Sequence, residues 1–281
     1  MVLFKKAADL SNWLEIQRQN KKQIGFVPTM GALHPGHLSL IDSSKKENDI
    51  TVASIFVNPT QFNDPKDLEK YPITIEKDID LLEKAGCDVL FLPSVKEIYP
   101  GGTDIKKKYD LGFLETVLEG KFRPGHFQGV CMVVERLLNI VEPHNLYLGQ
   151  KDYQQCMVIT RLTELMGKTI KVNICPTLRE PGGLAMSSRN MRLNEKERET
   201  ATTIYKCLSL AKEKLRPGNI IALREEMKAI LEKAGFRIDY AVIADARTLE
   251  LINEWDGRQK LVAVIAAFLN EVRLIDNMLL N

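Results

Sequence analysis

Five short apolar runs punctuate the first 176 residues: IGFVP at 24–28, ITVASIFV at 50–57, DVLFLP at 88–93, NLYLG at 145–149 and KVNIC at 171–175. Runs of this length, apolar at successive positions, suit strands buried on both faces. Amphipathic stretches near 36–48, 74–85, 128–141 and 152–166 lie between them, each long enough to return the chain to a parallel neighbour. The alternation predicts an α/β fold, a Rossmann-like doubly wound parallel sheet over residues 1–176, with its ligand at the carboxyl ends of the strands.

The rhythm changes after Pro176. Asn194 followed three residues later by Glu197 has the form of a helix cap, and Ala201, Ile204, Tyr205, Leu208, Ala211 and Leu215 continue a helical stripe. A second helix is expected between Asn219 and Gly235, followed by three strand-like runs, RIDYAVIA, KLVAVIAAF and VRLIDNMLL. Residues 177–281 are therefore expected to form a smaller C-terminal α+β domain that acts as a lid over the first. No internal repeat or low-complexity stretch competes with this division.

Composition narrows the class of function. The 281 residues carry 39 basic and 37 acidic side chains, a net charge of +2. A polynucleotide partner is not expected, because each phosphate contact along a duplex needs its own cation. The longest strongly apolar run, LVAVIAAFL, is nine residues, half of the roughly 18 that a membrane helix needs. The N-terminal MVLFKKAADLSNW turns polar after four residues and offers no signal-peptide core, so a cytoplasmic location is expected. Cys87, Cys131, Cys156, Cys175 and Cys207 are odd in number and form no CxxC pair. They read as reduced, buried small hydrophobes rather than a disulfide framework or zinc site.

The strongest local signal is FVPTMGALHPGHLSLI at 26–41. A buried strand ends in a small-residue turn and a helix pattern starts near Pro35. Gly31, His34, Gly36 and His37 thus gather at a helix N-terminus, where amide groups and the helix dipole favour phosphate. A lone histidine beside a turn is usually structural, but here two of the chain's four are spaced three apart after a strand. HxGH in this setting resembles the signature of the adenylate-forming nucleotidyltransferase superfamily. A second segment, GLAMSSRNMRL at 183–193, offers hydroxyls and an arginine that could wrap a polyphosphate; its plain alternative is a loop whose Ser and Asn serve turn chemistry. LYLGQKDYQQ at 146–155 follows a strand and brings Gly149, Lys151 and Asp152 to the same rim, unless it is only a solvated loop. In FVNPTQF, Asn58 and Gln61 carry uncharged amides suited to a hydroxylated anion, and Gln155 could face the same cavity. In GKFRPGHFQGV, Arg123 and His126 could close over phosphates or simply belong to a connection.

Together PTMGALHPGH, FVNPTQF, RPGHF, YLGQKD and AMSSRN, in this order over residues 28–190, resemble the pantothenate synthetase (pantoate:β-alanine ligase) family. The resemblance implies ATP-dependent condensation of (R)-pantoate with β-alanine through a pantoyl adenylate, releasing pyrophosphate and then AMP, by a homodimer that needs Mg2+. It also implies that Met30, Gly31, Ala32, Leu33, His34, Pro35, Gly36 and His37 bind ATP, with His37 as proton donor. Gly149, Gln150, Lys151 and Asp152 would hold the nucleoside side, with Lys151 on the phosphates. Leu178 would flank adenine, and Met186, Ser187, Ser188 and Arg189 would grip the triphosphate. Gln61 and Gln155, with Asn58 nearby, would hold pantoate and receive β-alanine, while Asp78 would help to hold magnesium. Two departures stand out: Pro35 and Gln150 both occupy positions where the family commonly has acidic residues. An enzyme transferring AMP to a phosphate or sugar acceptor is the alternative within the superfamily, and a catalytically silent nucleotide sensor is the alternative outside catalysis.

Overall fold

The computed structural model describes residues 1–62, 68–104 and 107–281. Two compact units emerge: Met1–Glu115, Glu119–Gly149 and Gln155–Pro176 form the first, and Thr116–Leu118, Gln150–Gln154 and Thr177–Asn281 the second. The short segment that carries Lys151 therefore groups with the C-terminal part of the chain.

The first unit is built on six parallel strands: β1 (Val2–Phe4), β2 (Ile24–Thr29), β3 (Ile50–Ile55), β4 (Val89–Phe91), β5 (Asn145–Gly149) and β6 (Lys171–Cys175). Their order across the sheet is β1-β4-β3-β2-β5-β6. Successive strand residues point to opposite faces, and the two cores follow that rule. Ile24, Phe26, Val52, Val89, Phe91, Leu146 and Leu148 pack on one face with Leu10 and Leu14 of α1 (Ala7–Gln19) and Val134 and Leu138 of α6 (His126–Val141). Val27, Ala53, Leu90 and Tyr147 pack on the other with Leu40 and Ile41 of α2 (Pro35–Glu47) and Leu82 of α3 (Ile75–Lys84). Short helices α4 (Val95–Ile98) and α5 (Leu118–Phe122) and the longer α7 (Tyr153–Leu165) complete the series up to β6. The fold is a doubly wound α/β sheet with cores on both faces.

Strand order reverses at β2. The chain steps from β2 to β3 and β4 on one side, then crosses back to β5, which pairs with β2 through Gly25↔Asn145 and Phe26↔Leu146. Such a switch point opens a crevice at the strands' carboxyl ends, and the HPGH loop leaves from the end of β2.

In the second unit, α8 (Glu195–Lys214) and α9 (Ile221–Lys233) pack on an antiparallel sheet of order β11-β10-β8. Its strands are β8 (Arg237–Asp245), β10 (Leu261–Leu269) and β11 (Val272–Leu279). A small ribbon pairs β7 (Gly218–Asn219) with β9 (Glu254–Trp255). The expected cap at the start of α8 is present, with Asn194 accepting from Glu197 N–H and Glu197 from Asn194 N–H, both at 2.9 Å. All five cysteines are free and buried. No helix among the described residues is long and apolar enough to cross a membrane.

Candidate active site

The loop after β2 is held in an uncommon shape. Gly31 and Ala32 both have positive φ, 82° and 49°, a conformation that costs an alanine about 1–2 kcal/mol. Asp78 stabilises it from beneath: its two carboxylate oxygens accept from Ala32 N–H at 2.9 Å and Leu33 N–H at 2.8 Å. Thr74 Oγ1 donates to the same carboxylate at 3.1 Å. Thr29 Oγ1 ties the strand end to Ser54 O at 2.7 Å and accepts from Gly31 N–H. Asp78 is only 1% exposed, and its oxygens support the loop. No group of three His, Cys, Asp or Glu side chains suited to a metal occurs among the described residues.

The loop delivers His34 as N-cap and Pro35 as the first residue of α2. The two histidine rings lie 4.0 Å apart between centroids, tilted by 31°. His34 N–H donates to His37 Nδ1 in a long contact of 3.4 Å. With Nδ1 accepting there, a neutral His37 ring carries its proton on Nε2. With the amides and dipole of the first helical turn, this arrangement suits an oxyanion.

Gln61 lies beside the same loop, its Nε2 donating to Met30 Sδ at 3.0 Å. Asn58 sets the orientation of its amide, because Asn58 Nδ2 donates to Gln61 Oε1 at 3.1 Å and to Gly129 O at 3.2 Å. Asn58 Oδ1 in turn accepts from Tyr99 O–H at 2.7 Å and Thr60 Oγ1 at 3.0 Å. Asn58 is 1% exposed, with partners on both atoms of its amide, and it orients Gln61. Arg123 and His126 meet the same turn. His126 Nδ1 donates to Gln61 O at 2.8 Å, and Arg123 reaches His126 Nε2 at 3.0 Å and Gln61 O at 3.4 Å. Glu119 pairs with Arg123 at 3.4 Å. These side chains brace the Gln61 turn. Gln155 is half-buried in α7, and no hydrogen bond joins it to Gln61 or to the Met30–His37 loop among the described residues.

Gly129 was not signalled as a site residue. It sits inside α6, and a Cβ there would lie 2.2 Å from Thr60 O and 2.6 Å from Thr60 C. The available sign was a glycine in a helix interior, where it costs about 0.5–1 kcal/mol relative to alanine and calls for a packing reason. Tyr99 gave no such sign, since its partner lies 41 positions away in the chain.

In the second unit, Gln150–Asp152 form a 3-10 turn after Gly149. Lys151 Nζ stands 3.8 Å from Asp152 Oδ2. Residues 178–186 fold back as a hairpin, with Met186 N–H donating to Leu178 O at 3.0 Å and an Arg179↔Ala185 bridge. Gly183 has φ of 90°, and a Cβ there would strike the Tyr205 ring at 2.1 Å. The hairpin leads into the 3-10 turn Ser188–Arg192, capped by Ser187 Oγ accepting from Arg189 N–H at 3.3 Å. Asn190 fastens this turn through Nδ2 to Ala185 O and Glu180 Oε1, both 3.0 Å. Leu178 is exposed and Ser188 buried, while Arg189 is half-buried.

A cavity of about 240 Å3 in the first unit is lined by Met30, Ala32, Phe56, Ile73, Leu92 and Val95 among others. It borders the 30–32 loop but includes neither histidine nor Gln61.

A family model for pantoate-beta-alanine ligase matches residues 2–279. The pantothenate synthetase of Cytophaga hutchinsonii is 45% identical over 267 residues, covering 94% of this chain and 94% of the relative. That of Porphyromonas gingivalis is 44% identical over 279 residues, 99% of this chain and 98% of the relative. Among solved structures, a pantothenate synthetase from Thermus thermophilus superposes with a TM-score of 0.90 at 38% identity, covering 100% of this chain and 99% of its own. A pantoate-beta-alanine ligase from Francisella tularensis, complexed with beta-gamma ATP and beta-alanine, gives 0.81 at 39% identity, covering 100% and 98%.

Proposed function

The chain belongs to the pantoate-beta-alanine ligase family, and we propose from that membership how its side chains divide the family's ATP-dependent synthesis of pantothenate from pantoate and β-alanine. The pantoate carboxylate oxygen attacks the α-phosphorus of ATP. The bond from that phosphorus to the bridging oxygen of the β-phosphate breaks, and pyrophosphate leaves. The β-alanine nitrogen then attacks the carbonyl carbon of the pantoyl adenylate, the bond to AMP breaks, and the nitrogen loses its proton. Activation is required because a free carboxylate is a poor acyl donor whereas AMP is a good leaving group.

In the first step negative charge grows on the α-phosphate and on the departing pyrophosphate, so preorganised donors and cations supply most of the acceleration. His37 donates from Nε2 to phosphate oxygen, with His34 stacked against it and the Gly31–Gly36 backbone allowing close approach. Lys151 and Arg189 neutralise the phosphates, with Ser187 and Ser188 as hydroxyl donors, and Gly149, Gln150, Asp152, Leu178 and Met186 receive the nucleoside. Gln61 presents Nε2 to pantoate, the orientation fixed by Asn58, and Gln155 is the second pantoate amide. Magnesium enters as part of the nucleotide substrate, MgATP, and no step is routed through a metal held by protein carboxylates.

The observation that carries this assignment of roles is the HPGH loop on the N-terminus of α2, with the Gln61 amide at Met30. A homodimer and a cytoplasmic location belong to the same proposal, supported by family membership and by five buried free thiols that suit a reducing compartment. Pantoate-dependent exchange of labelled pyrophosphate into ATP, without β-alanine, tests the first step. Exchange that needs pantoate is expected, and its absence from folded protein would refute the proposal.

A further inference from the structure

Lys151 stands two residues past the end of β5, yet its turn is fastened to the last strand of the chain. Asn277 in β11 donates through Nδ2 to Gln150 O and Lys151 O, both at 2.9 Å. Its Oδ1 accepts from Gln150 Nε2 at 3.1 Å. The amide is 2% exposed and has one allowed orientation, since a flip would set its oxygen against two carbonyl oxygens. Gln150, which stands where the family commonly has an acid, thus supplies the donor that Asn277 Oδ1 accepts.

The preceding residue anchors the other phosphate element. Asp276 takes a two-pronged pair from Arg179, at 2.6 Å and 3.0 Å, and accepts from Asn277 N–H at 2.8 Å. Arg179 also donates to Gly183 O at 3.0 Å and lies over the Tyr205 ring at 4.5 Å. It forms the Arg179↔Ala185 bridge of the hairpin that leads into Met186–Arg189. Two adjacent residues of one strand therefore hold the turn that carries Lys151 and the hairpin that precedes Arg189. A strand is a stiffer reference than either loop, and aiming a cation at a phosphate requires such a reference.

We propose that Asn277 is a positioning residue for the adenylation step, fixing the Lys151 turn on the strand that, through Asp276, also fixes the Arg189 hairpin. This rests on the roles given above to Lys151 and Arg189. Tyr153 O–H donating to Ala246 O at 2.7 Å is an independent anchor of the same segment, so loss of the Asn277 amide loosens the turn without releasing it.

The test compares Asn277→Ala, Asn277→Ser and Lys151→Ala by pantoate-dependent pyrophosphate exchange, with thermal melting of each variant. Turnover in Asn277→Ala is expected to fall by about 10- to 100-fold, the scale of a misplacement near 1 Å, with the KM for pantoate unchanged. Combining Asn277→Ala with Lys151→Ala is expected to slow the enzyme no further than Lys151→Ala alone. Wild-type turnover in folded Asn277→Ala overturns the proposal, and so does a double variant slower by the full Asn277 factor, the signature of general loss of structure. Should Asn277→Ala melt below the assay temperature, Asn277→Ser decides by the same readings. Wild-type turnover in Lys151→Ala would instead place the fault in the role of Lys151, leaving the anchor nothing to aim.

Discussion

Replacing Gly129 by alanine separates substrate positioning from stability. The new Cβ would sit 2.2 Å from Thr60 O and 3.0 Å from Gln61 N, against about 3.5 Å for an ordinary contact. The Pro59–Gln61 turn must therefore retreat by roughly 1 Å, carrying Gln61 with it and stretching the bonds from Asn58 and Thr60 to Gly129 O, now 3.2 Å and 3.4 Å. Overpacking costs about 1–3 kcal/mol, and the better helix former returns about 1 kcal/mol. The net loss of about 0–2 kcal/mol corresponds to a fall in Tm of at most about 8 °C for a chain of this size. Function is expected to suffer more, with adenylation down by about 100-fold for a displacement of that size. Calorimetric titration with pantoate and the exchange assay read the effect. Gly101→Ala, where a Cβ meets nothing within 4 Å, is the control. Wild-type pantoate affinity and turnover in Gly129→Ala would refute the reasoning.

Lys151→Ala and Arg189→Ala are each expected to lower the rate of adenylation while leaving pantoate affinity intact, whereas Gln61→Ala mainly weakens pantoate; calorimetry and the exchange assay divide these outcomes. Asp78→Ala leaves two buried amides of the 31–33 loop without acceptors, a cost of about 2 kcal/mol or more, read as a lower Tm. Its residual activity should require the same magnesium concentration as wild type, and a raised requirement would restore Asp78 as a metal ligand. Asp49, Glu97, Glu197 and Asp256 are held below the usual carboxylate range by the N–H groups of Gln23, Ala7, Asn194 and Arg258 respectively. A folded pKa below the unfolded one stabilises above the unfolded value and is lost as pH falls through the folded one. Tm should therefore hold from neutral pH to about 5 and drop below about pH 4; a Tm that rises on acidification would contradict this.

The apolar runs located strands β2 to β6 to within a few residues, because strands buried on both faces write their burial directly into sequence. They missed β1 and α1. β1 is a three-residue edge strand with Val2 and Leu3 exposed, and α1 buries only Leu10 and Leu14 fully, so neither carries a strong periodic signal. The HPGH loop was legible because its glycines, proline and histidines are local. Asp78, Asn58, Arg123 and His126, expected at substrate or metal, support the backbone around Ala32 and Gln61, a role that the sequence does not signal. Residue type names a polar group, but only tertiary contacts decide whether its lone pairs are already taken. Asn277 lay in a run read simply as a strand, since its partners are 126 and 127 positions away.

The central claim is that pantoate is activated as an adenylate. Pantoate labelled with 18O in both carboxylate oxygens, turned over with ATP and β-alanine, is the direct measurement. One labelled oxygen should appear in the phosphate of each AMP and the other should remain in the new amide of pantothenate. Unlabelled AMP, or ADP with label in inorganic phosphate, would contradict the account.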